Sequence, residues 1–548
     1  MSEQVTFQDL QRIRAVSEDS IALAAYSVDG RSFSYQAPVR ADIPNGGYVI
    51  ITGSNGARFL GQIHAKELGV YEGTQLALNL QTDQLKDVFG DSRAIATGEG
   101  VTTVRVRGIE GHGVVLATLQ GDQIVRSLPP SFANAHLEPA SEDTIRQYLT
   151  LVTEKSATLE IGRMQQVAAG VEVPAFLRAR GLNRHTFLCG QSGSGKTFAL
   201  GVILEQLLLH TDLRIVILDP NSDYVRLNDP YDTVERVNLT RSVPLSGDAF
   251  QQLLDRYRRI ADQVHVFRPR ATAPPADARL EIYCSDLTPD EQAVLLEMDP
   301  LRDMQQYNVF TQIIENISGS TYTLGDVHEA ILASSLALQT RDLGLRIENM
   351  GIRQWEIWAR AGERSLTDVM RQEDWRCLIV DTGTLSSPIE ESVIAISVLG
   401  HLWRERNQRQ PILIVIDEAH NICPHEPLNK VANLSTQACI RIAGEGRKFG
   451  LYLLLATQRP GKIQANVLSQ CDNLILMRMN SSVDLKHIRD TLSFAPANLV
   501  SQAAYFELGE TLIAGNIVPN PTFARFGGRL THEGGADIPS AWAKPKRD

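Results

Sequence analysis

The sequence predicts an α/β protein with a mainly parallel sheet at its core. Six short apolar runs, at 186–189, 214–218, 377–380, 412–416, 451–455 and 473–477, have the near-continuous hydrophobicity of strands buried on both faces. Helical periodicity separates most of these runs, and this alternation is typical of a sheet covered by helices. A glycine-rich segment follows the first run directly. In such sheets ligands bind beyond the carboxyl ends of the strands.

The glycine-rich segment fits the phosphate-loop pattern G-x-x-x-x-G-K-[ST] at every fixed position. It lies between the strand predicted at 186–189 and a helix predicted at 197–209, which is the context that the motif requires. Backbone N–H groups of such a loop surround phosphate oxygens, and the helix N-terminus favours negative charge. We expect Lys196 to contact the β- and γ-phosphates of ATP and the Thr197 hydroxyl to hold Mg²⁺. The residues predicted to bind the nucleotide are Gly190, Gln191, Ser192, Gly193, Ser194, Gly195, Lys196, Thr197 and Phe198.

Polar residues also end two later strands. Asp417 and Glu418 follow the run 412–416, a Walker B arrangement. We expect Asp417 to bind Mg²⁺ and Glu418 to be the general base for the attacking water, since two buried carboxylates are costly without a cation. The alternative is a solvent-facing pair of acids. Gln458 ends the strand that begins at 451, and we expect it to orient the water, the alternative being a turn amide.

Arginines outside these motifs are candidates for a second role in hydrolysis. Arg447 lies in the glycine-rich basic segment 444–450. Because a guanidinium matches phosphate geometry, Arg447 is a candidate arginine finger for the γ-phosphate bound by a neighbouring subunit. Arg184 is a weaker candidate, and a surface ion pair is the alternative for each. Asp219 and Asp223 support the metal or water shell, or cap a helix.

Composition restricts the class of protein. The 548 residues carry a formal net charge of −11, so no overall basic field indicates nucleic-acid binding, although basic loops lining a pore remain compatible with it. The six cysteines include no C-x-x-C pair, which argues against a zinc site or a disulfide framework and favours the cytoplasm. No signal region or apolar run of membrane-spanning length is present, so we expect no membrane association.

The chain divides into four predicted parts. Residues 1–140 have short β-type runs, with a hairpin turn at Asp29-Gly30 and another turn at 108–113, and predict a small barrel or sandwich. Residues 141–240 and 371–530 form the predicted ATPase core. Residues 241–370 interrupt the α/β rhythm and predict a mainly helical insertion. Residues 531–548 predict a C-terminal arm.

Several motifs together resemble the HerA/FtsK group of hexameric P-loop motors, and the HerA family in particular. They are Asn183-Arg184-His185, Asp219-Pro220 with Asp223-Tyr224, and the segments 416–421, 445–450 and 456–460. The resemblance extends over roughly residues 15 to 530. One departure is 221–223, Asn-Ser-Asp, where the family more often has a glycine–glutamate pair.

The resemblance implies a RecA-like P-loop ATPase core and an N-terminal β-barrel of the HAS-barrel type. It also implies a homo-hexameric ring with active sites between subunits, which supports Arg447, and Arg184 less firmly, as trans-acting groups. Double-stranded DNA would be translocated through pore loops with a partner nuclease, in DNA processing or antiphage defence. The barrel is the expected docking domain. The alternative is an ATPase scaffold that regulates a separate effector, a nuclease or a sirtuin-like NADase. A protein-remodelling ATPase is disfavoured because no aromatic pore motif is evident.

Overall fold

The structure is a computed structural model that describes residues 15, 18, 21–41, 43–71, 106–121, 123–153, 157–167, 172–241, 243–274, 278–317, 321–334, 337–372 and 374–535. Within these ranges the chain forms a small β-barrel followed by a large mixed sheet with helices on both faces. The α/β fold class with an N-terminal barrel, predicted from the sequence, is confirmed. None of the described helices is long and apolar enough to cross a membrane.

The N-terminal barrel is closed by six of the described strands. They pair in the order β2-β1-β7-β3-β4-β5, and β2 also pairs with β5 to complete the ring. A seventh strand, β6, pairs with β5 outside the ring. The strands are β1 (Ala24–Ser27), β2 (Ser32–Ala37), β3 (Tyr48–Thr52), β4 (Arg58–Tyr71), β5 (Val106–Gln120), β6 (Gln123–Val125) and β7 (Phe132–Pro139).

Two glycine-containing turns were predicted in the barrel, and one is wrong. The hairpin at Asp29-Gly30 is confirmed, since β1 and β2 pair antiparallel and Gly30 has a φ of 66°. The turn at 108–113 does not exist, because these residues lie inside β5. Glycine fits there because a side chain would not, and not because the chain turns. A Cβ on Gly111 would lie 2.2 Å from the Tyr35 ring. The run 101–106, whose β-branched residues also predict a strand, lies almost wholly outside the described residues.

A helix connects the barrel to the large sheet. Ser141 caps α1 (Glu142–Val152) by accepting a hydrogen bond from the backbone N–H of Thr144. The sheet then begins with β8 (Thr158–Met164) and β9 (Pro174–Arg178), which pair antiparallel at its edge. Barrel residues Tyr48 and Leu60 share a hydrophobic cluster with this region.

The large sheet joins a parallel part to an antiparallel part. Its order is β13-β12-β14-β11-β15-β16-β10-β17-β18-β19-β8-β9. Pairing is parallel from β13 through β17 and antiparallel from β17 to β9. The remaining strands are β10 (His185–Cys189), β11 (Arg214–Asp219), β12 (Val264–Arg268), β13 (Ala278–Arg279), β14 (Cys377–Asp381), β15 (Ile412–Ile416), β16 (Leu451–Thr457), β17 (Cys471–Met477), β18 (Glu510–Gly515) and β19 (Thr522–Phe526).

Helices cover both faces of this sheet, which explains the apolar strands. On β11, Val216 and Leu218 face one hydrophobic cluster while Ile215 and Ile217 face the other. The helices outside residues 241–370 are α2 (Lys196–His210), α3 (Val234–Asn238), α10 (Pro388–Arg404), α11 (Lys430–Glu445), α12 (Ala465–Leu468), α13 (Ser482–Thr491) and α14 (Ala497–Ser501), while α4 (Gly247–Ala261) is the first helix within that range.

The predicted insertion at 241–370 is only partly separate from the sheet. Its helices after the sheet strands are α5 (Pro289–Leu295), α6 (Met304–Asn316), α7 (Leu324–Ala333), α8 (Ala337–Asn349) and α9 (Leu366–Met370). However, β12 lies between β13 and β14 in the large sheet, so 241–370 is not wholly helical. His265 interrupts the apolar run of β12, which ends at Arg268, so this strand lacks the continuous hydrophobicity of the other parallel strands. The division of the chain into four parts stays a proposal, in which the segment 241–370 contributes β12 and β13 to the large sheet as well as helices.

The beginning of the predicted C-terminal arm packs against the core. Thr531 is buried and forms an isolated bridge with Pro230, while residues 536–548 lie outside the described residues. All six cysteines are free and buried.

Candidate nucleotide-binding site

The glycine-rich segment forms a loop between β10 and α2. Gly193 and Gly195 have φ values of 69° and 93°, in the left-handed region that favours glycine. A Cβ on Gly190 would lie 2.6 Å from the Ser194 hydroxyl, so the loop is also closely packed at its start. Helix α2 begins at Lys196 with the loop at its N-terminus. The loop therefore has the backbone geometry that surrounds a phosphate group.

Lys196 lies between the two carboxylates that follow β15. Its Nζ is 3.0 Å from Asp417 Oδ1 and 2.7 Å from Glu418 Oε1. Asp417 is fully buried, and Lys196 and Glu418 are each 7% exposed. Burial lowers the pKa of Lys196, but the two carboxylates outweigh this effect and raise the pKa above its ordinary value. The three residues form one buried cluster of charges, called here the lysine–carboxylate cluster.

Glu418 is held in an unusual backbone conformation. Its φ is 41°, and its N–H donates to Asp417 Oδ1 at 2.8 Å. Gln458 Nε2 donates to Glu418 Oε1 at 2.7 Å, and His420 Nδ1 lies 3.3 Å from Oε2. Burial raises the pKa of Glu418, but the His420 hydrogen bond and the Lys196 charge outweigh burial and lower the pKa to about 2. Positive φ in a glutamate is strain of the kind that clusters at functional sites.

A second group of oxygen atoms lies beside the loop. Thr197 Oγ1 donates to Asp223 Oδ2 at 3.0 Å, and the Tyr224 hydroxyl donates to Asp417 Oδ2 at 3.2 Å. Asp219 holds this turn by accepting from the N–H groups of Asp223 and Tyr224 at 3.0 and 2.9 Å. Burial raises the pKa of Asp219 to about 7 and that of Asp223 to about 6. Thr197, Asp223 and Asp417 are therefore neighbours with hard oxygen donors.

The two candidate arginines lie at the amino ends of the parallel strands, opposite the carboxyl ends where the phosphate loop lies. Arg184 directly precedes β10 and Arg447 precedes β16, whereas the phosphate loop and Gln458 follow these strands. Both guanidinium groups contact Asp472 Oδ2, at 3.5 Å from Arg184 Nε and 3.0 Å from Arg447 Nη1. Because a five-residue strand spans about 16 Å, the structure does not bring these arginines to the phosphate loop of their own chain.

The structure adds two residues to those predicted for the site. Tyr224 contacts Asp417, and the sequence pattern assigned Tyr224 no role beyond the family motif. Arg478 Nη2 donates to the Gly193 carbonyl at 2.9 Å, and its own carbonyl accepts from the Gln191 N–H at 2.9 Å. Arg478 directly follows β17. The rule that identified Gln458, a polar residue at the end of a buried strand, would have found it.

Comparison with known proteins relates the chain to the HerA helicases. Residues 159–357 match the family described as "Helicase HerA, central domain". The DNA double-strand break repair helicase HerA of Sulfurisphaera tokodaii is 25% identical over 79% of this chain and 81% of its own length. The corresponding helicase of Sulfolobus acidocaldarius is 23% identical over 92% of this chain and 93% of its own length. The chain thus resembles the HerA helicases over most of its length. These matches show a P-loop ATPase of the helicase type.

Solved structures with a related arrangement have lower sequence identity to this chain. VirB4 of Thermoanaerobacter pseudethanolicus matches 68% of this chain and 96% of its own, with 14% identity and a TM-score of 0.46. The bacterial conjugative coupling protein TrwBdeltaN70 matches 71% of this chain and 93% of its own, with 12% identity and a TM-score of 0.43.

The contacts of Glu418 generate a prediction for the Glu418→Gln variant. We expect ATP binding to be retained and turnover to fall about 10²–10⁴-fold, because the amide cannot accept the proton from water. Steady-state hydrolysis and equilibrium nucleotide binding, measured on the same preparation, check both parts. Glu426→Gln, an exposed site in the following segment, is the matched control and should be near wild type. Wild-type turnover by Glu418→Gln would remove Glu418 from the role of base.

Proposed function

We propose that this chain hydrolyses ATP with Mg²⁺ and uses the energy to translocate double-stranded DNA. The observation that carries the proposal is the lysine–carboxylate cluster beside the phosphate loop, with Gln458 bonded to the same glutamate. It supports a site in which a phosphate-binding cation and a water-orienting amide both bond to the same base. The HerA relatives are DNA repair helicases by name, which supports DNA as the polymer.

The lysine–carboxylate cluster also suggests why hydrolysis would wait for ATP. The His420 hydrogen bond and the Lys196 charge together lower the pKa of Glu418 to about 2, so the glutamate is a weak base while Lys196 pairs with it. A bound γ-phosphate competes for the Lys196 ammonium, and the departure of that ammonium moves the pKa of Glu418 upward. Glu418 then accepts a proton more readily from a water molecule that Gln458 orients. In this proposal ATP binding itself activates the base.

The residues beside the loop fit Mg²⁺. The Thr197 hydroxyl and the Asp417 and Asp223 carboxylates are the hard oxygen donors that this ion prefers, and the two carboxylates repel each other without a cation. We propose that Thr197 and Asp417 hold the ion, with Asp223 supporting Thr197. When bound, Mg²⁺ would neutralise charge on the β- and γ-phosphates.

The segments that follow Glu418 and Gln458 could carry the coupling to DNA. They meet at a bridge between Pro424 and Ile463, where the His425 N–H donates to the Lys462 carbonyl at 2.7 Å. Arg459 and Lys462 are both exposed on the second segment. We propose that these two cations contact DNA phosphates. Arg459 directly follows Gln458, so this contact would lie next to the residue proposed to orient the water. Local cations can bind phosphate although the whole chain is acidic.

DNA contact by these cations predicts sequence-independent binding that weakens steeply with salt. We expect duplex DNA to stimulate hydrolysis. Arg459→Gln/Lys462→Gln should reduce this stimulation and lower the salt slope of binding by about one for each phosphate that the protein no longer neutralises. Binding titrations over a salt series measure this. The exposed pair Arg302→Gln/Arg341→Gln in the insertion is the charge-matched control. Hydrolysis indifferent to DNA, with salt-insensitive binding, would contradict translocation and favour the scaffold alternative.

We further propose a homo-hexamer in which Arg447 acts on the nucleotide of the adjacent subunit, with Arg184 as the weaker candidate. The support is positional: both arginines lie at the sheet edge away from their own phosphate loop and share Asp472. Each is about one third exposed, so these ion pairs can be exchanged for a phosphate at low cost.

A trans-acting Arg447 predicts that inactive variants complement each other. Arg447→Ala should lose about 10³–10⁵ in turnover while binding ATP, and Lys196→Ala should lose hydrolysis. Mixed subunits should recover part of the activity, because some interfaces pair an intact loop with an intact arginine. Hydrolysis assays on the mixture check this, with the neighbouring cation variant Lys448→Ala as control. No recovery on mixing, or a fully active monomer in native mass spectrometry, would refute the trans role.

The barrel is proposed as the docking domain for a separate nuclease or other effector. Leu68 and Val70 are more than half exposed on one face of β4, which leaves an apolar surface available for a partner. We expect the purified chain to hydrolyse ATP and leave DNA uncut. Incubation with labelled linear and circular duplexes tests this, and DNA degradation by the pure chain would show that no separate nuclease is needed.

A further inference from the structure

A segment from the C-terminal region of the chain packs along the phosphate-loop helix. Residues 529–535, called here the strap, follow β19 and lie against α2 although more than 300 residues separate them in sequence. Arg529 of the strap is 2% exposed. A buried arginine is expensive unless it is paired, so its partners show what it does.

The partners of Arg529 form a stripe along α2. Residues 197, 201 and 205 are spaced by four and therefore lie on one face of the helix. Arg529 Nη1 donates to the Thr197 carbonyl at 3.2 Å, and Arg529 Nε lies 3.8 Å from Glu205 Oε1. Gly201 leaves the space between them, because a Cβ there would lie 2.5 Å from Arg529 Cζ. The guanidinium thus contacts the first turn of the helix and is anchored further along the same face.

Glu205 fastens the strap to the helix. Its carboxylate is fully buried and accepts hydrogen bonds from the Leu530 N–H at 2.8 Å and from the Thr531 N–H at 2.8 Å. The Thr531 hydroxyl donates to it at 2.5 Å. Burial raises the pKa of Glu205, and the Arg529 charge and the three donated hydrogen bonds oppose that rise.

The far end of the strap contacts the other half of the proposed magnesium site. The Gly534 N–H donates to the Asp223 carbonyl at 3.0 Å, and Glu533 accepts from Arg529 Nη1 at 2.9 Å. Asp223 is the residue that accepts a hydrogen bond from the Thr197 hydroxyl at 3.0 Å. The strap therefore donates hydrogen bonds to the main-chain carbonyls of both Thr197 and Asp223, the two residues whose side chains bond to each other.

We propose that Arg529 is a positioning residue that fixes the Thr197 hydroxyl and Asp223 for Mg²⁺ through the strap. The inference rests on the proposed function, since it concerns the same site, and it adds a residue that no motif of the phosphate loop includes. Arg529 contacts neither nucleotide nor metal in this role. Partners behind metal ligands typically account for about 10–100-fold in metal affinity.

The test measures nucleotide binding as a function of Mg²⁺, not hydrolysis. A fluorescent ATP analogue is titrated with EDTA present and over a series of Mg²⁺ concentrations. Arg529→Met/Glu205→Gln removes both buried charges together, because removing one alone leaves an uncompensated charge that can unfold the protein. Gly201→Ala keeps every charge, favours the helix, and displaces the guanidinium by its methyl group. Arg346→Met/Asp303→Asn, a partly buried arginine–carboxylate pair in the insertion, is the matched control.

We expect the half-saturating Mg²⁺ concentration to rise about 10–100-fold in Arg529→Met/Glu205→Gln. It should rise in the same direction in Gly201→Ala. Affinity in EDTA should match wild type for both variants, whereas a general loss of structure would weaken binding with and without Mg²⁺. Unchanged Mg²⁺ dependence in both variants, or equal weakening in EDTA, overturns the inference. Absence of nucleotide binding by the wild-type chain would instead overturn the proposed function on which it rests.

Discussion

The site depends on one buried charge arrangement, the Lys196 ammonium between the Asp417 and Glu418 carboxylates. An isolated buried charge is costly, so the ammonium and the carboxylates that contact it compensate one another, while the two carboxylates repel each other. The cluster nevertheless carries one more negative than positive charge, and phosphate adds further negative charge to the same space. In the proposed mechanism, ATP therefore fits the site when Lys196 moves to the phosphates and a divalent cation compensates the carboxylates. The same electrostatic constraint would then link substrate binding, metal binding and activation of the proposed base.

The parallel part of the sheet explains how distant segments of sequence meet at this cluster. All of its strands run in the same direction, so their carboxyl ends lie along one edge. The groups placed there by successive strands are the loop after β10, Asp219 at the end of β11, Asp381 at the end of β14, Asp417 and Glu418 after β15, Gln458 after β16 and Arg478 after β17. The opposite edge carries Arg184 and Arg447. A single chain therefore has a loop side and an arginine side, which is the asymmetry that a ring of identical subunits can use.

Local patterns predicted the groups that lie next to a glycine-rich loop or at the end of an apolar strand. The phosphate loop, Asp417, Glu418 and Gln458 are of this kind, and the structure brings Lys196 together with the last three. The strap could not be predicted, because the contact of Arg529 with Thr197 depends on the packing of β19 and α2 and leaves no local pattern. Glycines caused the clearest error: Gly111 was assigned to a turn, whereas it makes room for the Tyr35 ring inside β5. Sequence shows that a glycine is needed but not whether its φ or its missing side chain is the reason.

The most direct test of this account is a high-resolution structure with Mg²⁺ and a non-hydrolysable ATP analogue. In the present structure Lys196 Nζ is 2.7 Å from Glu418 Oε1. The account predicts that Nζ leaves Glu418 for the β- and γ-phosphate oxygens, while Gln458 and Glu418 face a water molecule in line with the γ-phosphate. Phosphates bound in the loop with Lys196 still paired to Glu418 would contradict it.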